Sequence, residues 1–77
     1  MSDTVILDYR GKRCPLPVIG LARRIGDVAV GEVVEVWADD PAAAADIPAW
    51  CRLRGQEYVG VVTTPDGVPS YRVRRLS

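Results

Sequence analysis

The hydrophobic period of this sequence switches from strand to helix and back, twice, before a closing hairpin, and few folds accommodate that order. Val5-Ile6-Leu7-Asp8-Tyr9 is a short β-rich run, and Arg10-Gly11-Lys12-Arg13 follows as a basic loop. From Pro15 the period lengthens. Val18, Leu21, Ala22, Ile25 and Val28 recur at helical spacing and define one apolar face. Gly26 and Gly31 bracket the end of that helix. Glu32 to Ala38 is rich in β-branched residues and reads as a largely buried strand, stopped by Asp39-Asp40-Pro41. A second helix is expected over Ile47 to Arg54, capped by Asp46, because Pro48 is best tolerated in a first turn. Gly55 supplies its stop. Tyr58 to Thr64 and Val68 to Leu76 alternate on either side of a Pro65-Asp66-Gly67 turn. Pro69 lacks a backbone donor, so the last strand is expected at a sheet edge. The stripe of Arg72, Arg74 and Arg75 then lies on that edge. The order β-α-β-α-β-β points to the α+β class. The architecture is a two-layer α/β sandwich with both helices on one face of a mixed four-stranded sheet, in a single domain over residues 1–77.

Composition narrows the chemistry. Ten basic residues balance ten acidic ones, and there is no histidine. A balanced charge gives no global attraction to nucleic acid or to anionic lipid. Without histidine the commonest general base and metal ligand are missing, so no metal site and no cofactor are expected. No apolar run approaches the ~18 residues of a membrane span, and the first residues lack signal-peptide character, so the expected compartment is the cytoplasm. A reducing compartment disfavours a disulfide between the two cysteines, Cys14 and Cys51.

The two thiols read differently. Cys14-Pro15-Leu16-Pro17 places one at the mouth of the first helix, with Pro15 in the first helical position. Backbone N–H groups and the helix dipole favour an anion there, and Arg10, Lys12 and Arg13 stand just before it. Both influences push the thiol toward the nucleophilic thiolate. Cys51 shares a helical face with Ile47 and Trp50 and reads as a packed, inert thiol. A Cys14–Cys51 redox pair is the minor reading. Asp39, Asp40 and Asp46 are read as strand-ending and capping residues rather than as a cation site.

Leu7 to Pro17, Gly31-Glu32, Ala38-Asp39-Asp40-Pro41, Asp46-Ile47-Pro48, Trp50-Cys51-Arg52 and Gly55 together resemble the TusA/SirA family of small sulfur-transfer proteins. The resemblance runs from about Val5 to Leu76 and implies one TusA-like sulfurtransferase domain. It implies that Cys14 accepts sulfane sulfur as a persulfide and relays it. The donor would be a protein such as a cysteine desulfurase, and the acceptor a downstream protein thiol. Neither membrane nor nucleic acid is implied as a direct partner. Arg10, Lys12 and Arg13 become candidates for stabilising the thiolate or docking a partner. Gly11, Pro15, Pro17, Asp40, Asp46 and Pro48 become structural residues of the motifs. Leu16 stands where tRNA-thiolation members of the family often carry Glu, so that pathway is not implied. The alternative is a non-catalytic regulatory or RNA- or protein-binding module of the same fold.

Overall fold

Strand and helix alternate as the hydrophobic period requires. The computed structural model describes residues 5–13 and 15–77. The strands are β1 (Val5–Asp8), β2 (Val33–Trp37), β3 (Glu57–Thr63) and β4 (Pro69–Arg74), and the helices are α1 (Leu16–Arg24) and α2 (Ala43–Arg54). A 3-10 turn, Ile25–Asp27, continues α1. The sheet order is β1-β2-β4-β3, with β1 and β2 parallel and the other pairs antiparallel. Both helices cover one face. Leu7, Val34, Val36, Tyr71 and Val73 from the sheet meet Leu21 of α1 and Ala43, Ile47, Trp50 and Cys51 of α2, all buried. Burying an aliphatic side chain of this size contributes about 1.5–3 kcal/mol.

Three expectations about the elements are corrected. β4 is not at an edge; it lies between β2 and β3. Pro69 is tolerated because it is the first residue of the strand, where no ladder donor is needed, and its carbonyl accepts the Ala38 N–H at 3.2 Å. Arg72 and Arg74 therefore project from an inner strand. They pair with Glu35 at 3.4 Å and Glu57 at 2.9 Å on the sheet face that carries no helix.

The second correction concerns α2, which begins at Ala43 rather than Ile47. Asp40 starts it: its Oδ1 accepts the Ala42 N–H at 2.9 Å and its carbonyl accepts the Ala43 N–H at 3.0 Å. Asp46 then stands in the first turn without capping, and Pro48 lies inside the helix. Gly55 does end the helix, in the left-handed conformation at φ +71°.

In α1 the inward face is Pro17, Gly20 and Leu21, with Val18 and Ile25 partly buried, while Ala22 is exposed. Gly20 takes the inward place because Tyr9 fills it: a Cβ there would lie 2.0 Å from the Tyr9 hydroxyl. Beyond β4, Arg75 ties the end of the sheet to the α1–β2 connection. Its N–H donates to the Glu32 carbonyl at 2.9 Å and its guanidinium to the Val28 carbonyl at 2.6 Å.

Candidate functional site

Three connections separated in sequence meet at one end of the sheet. Asp8 opposes Trp37 across the parallel pair, so β1 and β2 finish side by side. Trp37 opposes Ser70, and Ser70 opposes Val62, so β4 starts and β3 finishes at this same end. The β1–α1 loop, the β2–α2 loop and the β3–β4 turn converge there.

The β1–α1 loop is held residue by residue. Tyr9 donates its N–H to the Trp37 carbonyl at 2.8 Å, which extends the β1–β2 pairing. Gly11 adopts φ +77°, a conformation that favours glycine. Its N–H points at both carboxylate oxygens of Asp39, at 3.1 and 3.0 Å. The Lys12 N–H returns to the Tyr9 carbonyl at 3.0 Å, and the Arg13 carbonyl accepts the Leu16 N–H at 2.9 Å.

The three basic candidates have different surroundings. The Arg10 guanidinium grips Asp8 with two bonds, Nε to Oδ1 at 2.8 Å and Nη2 to Oδ2 at 2.6 Å. Its Nη1 pairs with Asp66 of the β3–β4 turn. The same group lies over the Trp37 ring, 5.1 Å from its centroid. Chiefly through the side-chain bond, Arg10 holds the Asp8 carboxyl down at about 2. Lys12 and Arg13 are exposed and have no acidic partner among the described residues.

Cys14 lies outside the described residues. Its chain neighbours Arg13 and Pro15 are both exposed. Pro15 is the N-cap of α1, and Leu16, not Pro15, is the first helical residue. Pro15 and Pro17 carry no N–H, and that of Leu16 is already donated. The anion-favouring donors of this first turn thus shrink to Val18 at most. Leu16 and Ile19 are exposed on α1, at 45% and 40%.

Of the structural motif residues, Gly11, Pro15, Pro17 and Asp40 fall in the two loops and helix starts at this end. Asp46 and Pro48 belong to the first two turns of α2. Cys51 is buried in the core, 1% exposed, and desolvation pushes its thiol up to about 11. Sequence reasoning gave no role at this end to Trp37, Asp39 or Asp66. Asp39 and Asp66 both sit in stretches whose turn chemistry already accounted for an aspartate, and nothing local marks a partner far away in sequence.

Compared with known protein families, the chain matches sulfurtransferase TusA over residues 5–75. The chain belongs to the TusA family. Two relatives from Archaeoglobus fulgidus bear the provisional name of sulfur carrier protein. One is 42% identical over 62 residues, covering 80% of this chain and 85% of the relative. The other is 40% identical over 68 residues and covers 88% of each. A Bacillus subtilis relative with the provisional name of sulfur carrier protein YrkF is 40% identical over 60 residues, 78% of this chain. The match occupies only 32% of that longer protein. The crystal structure of a SirA-like protein from Desulfitobacterium hafniense superposes with a TM-score of 0.81 over 96% of this chain and all of the other, at 20% identity, and so shares the fold. Family membership places the chain among proteins of sulfur transfer. Among the described residues, no helix is long and apolar enough to cross a membrane.

Proposed function

We propose that this chain is a cytoplasmic sulfur carrier that takes sulfane sulfur onto Cys14 and passes it to an acceptor thiol. The observation that carries this reading is the state of the other thiol. The chain has two cysteines. Cys51 is sealed in the core and pushed up to about 11, so it is a poor nucleophile near neutral pH. That leaves the thiol of Cys-Pro-Leu-Pro, in a TusA-family chain, preceded in sequence by two basic residues, Lys12 and Arg13, with no acidic partner among the described residues.

The step balances without a base from this chain. The Cys14 thiolate attacks the outer sulfur of a donor persulfide, R–S–SH. A Cys14–S bond to that sulfur forms and the donor S–S bond breaks. The products are Cys14–S–SH and the donor thiolate. The sulfane sulfur keeps its oxidation state and only changes carrier. A second thiolate, on the acceptor, repeats the attack. A protein bearing a cysteine persulfide, such as a cysteine desulfurase, fits the donor role. Lys12 and Arg13 stabilise the anion or meet a carboxylate-rich surface on either partner. The helix-end contribution at an exposed site is about 0.3–1 kcal/mol, a downward shift of under about one pKa unit.

Incubation with a persulfide donor followed by intact-mass measurement tests the reading. Wild type and Cys51→Ala are expected to gain one sulfur, and Cys14→Ser none. Equal gain in the Cys14→Ser variant would overturn it.

A further inference from the structure

The β3–β4 turn reaches across the end of the sheet to the loop that leads into Cys14, and Arg10 is the link. Three segments supply its partners: Asp8 on β1, Trp37 on β2 and Asp66 in the turn. An isolated exposed ion pair is worth little. A two-bond fork on one carboxylate, a second carboxylate and an aromatic face are a different case, because together they fix the plane of the guanidinium. The platform under Asp66 is itself braced. Thr64 and Val68 exchange bonds, N–H to carbonyl at 2.9 Å and N–H to Oγ1 at 3.2 Å, and the Gly67 N–H returns to the Thr64 carbonyl at 2.9 Å.

Two facts argue against Arg10 serving a thiolate directly. Each of its three guanidinium nitrogens already faces a carboxylate oxygen. With one cation against Asp8 and Asp66, the cluster carries a net single negative charge. It is the wrong sign to favour an anion.

We propose that Arg10 is a positioning residue for the sulfur transfer: locked between Asp8, Asp66 and the Trp37 ring, it anchors residues 9–13, the stretch that runs directly into Cys14. This rests on the carrier reading of Cys14. It moves Arg10 out of the set of free cations and gives the hairpin turn a part in the site.

The sign of one effect separates positioning from simple electrostatics. Removing the negative charge of Asp66 should, by Coulomb's law alone, lower a thiol pKa or leave it unchanged. If Asp66 acts by anchoring, its loss should raise it. The experiment follows iodoacetamide labelling of Cys14 by peptide mass across pH, with thermal unfolding measured alongside. Asp66→Ala and Arg10→Ala are expected to move the labelling midpoint up by about half a unit, the size of an exposed helix-end effect. Arg10→Lys, which lacks the planar fork, is expected to stay close to Arg10→Ala. Asp66→Asn keeps the turn chemistry and an acceptor, and is expected to lie between wild type and Asp66→Ala. An unchanged or lowered midpoint in the two Asp66 variants overturns the proposal, whatever happens to Tm. Loading with inorganic polysulfide separates the two levels. A wild type that gains no sulfur overturns the carrier reading and this proposal with it. A wild type that loads, beside Asp66 variants that keep its midpoint, overturns the positioning role alone.

Discussion

At the level of single residues, the Tyr9 ring occupies the space that a side chain on Gly20 would need. A methyl group on Gly20 would sit 2.0 Å from the Tyr9 hydroxyl and 2.3 Å from the ring carbon that bears it. The ring would have to leave, and Tyr9 is the first residue of the loop that leads to Cys14. Gly20→Ala should therefore destabilise the fold by about 1–3 kcal/mol, the usual range for overpacking. Denaturant midpoints of Gly20→Ala, Tyr9→Ala and the double variant check this. The double variant should be no less stable than Tyr9→Ala alone, because the clash needs both partners. None of this contact was legible in the sequence. A glycine within a helical pattern signals a weak helix position, and only the packed structure shows what needs the space. The Cys-Pro-Leu-Pro motif could be read from the sequence because it is local. The surroundings of Arg10 were not, because its partner Asp66 stands 56 residues away.

At the scale of elements, the start of α2 shows which local rule prevails. Asp46 before Ile47-Pro48 has the form of a cap. The chain instead uses the earlier Asp40, because Ala42 to Ala45 are good helix formers and Ala43 is needed in the core. Pro48 costs the helix one backbone bond, while Ile47 and Trp50 on either side of it are buried. Asp40→Ala is expected to lower stability by about 1 kcal/mol, the typical value of a capping side chain. Asp46→Ala should cost less, only the ~0.3–1 kcal/mol of an acidic residue in a first turn. Equal losses in urea melts of the two variants would show that Asp40 is not the effective cap. The misplaced β4 has a similar lesson. Pro69 is compatible with an edge or with a first strand position, and only the pairing of β2 with β4 decides between them.

For the whole molecule, one exposed carboxyl and one buried thiol bound the pH range of stability. Asp8 ionises at about 2 in the fold against an ordinary 3.8. A depressed carboxyl stabilises above its unfolded pKa, and that contribution is lost as pH falls from about 4 to about 2. Cys51 ionises at about 11 against an ordinary 9.0. Above pH 9 the unfolded chain releases this proton and the folded chain does not, so stability declines between about 9 and 11. A plateau between these limits is expected in unfolding free energy against pH. Asp8→Asn should flatten part of the acid limb and Cys51→Ala part of the alkaline one. The β-α-β-α-β-β order and the single helical layer were readable from periodicity, since each follows from residues near one another in sequence. Strand order and the meeting of three connections at one end were not, since they follow from pairing.

Val5 pairs beside Val34 and Arg74 opposite Val33, so the first and last strands have their outer ends together, at the pole away from the three converging connections. A contact made at that shared end of β1 and β4 would leave the pole where the three connections meet uncovered. In the Bacillus relative the matching stretch is about a third of a longer chain, so further segments adjoin this unit there.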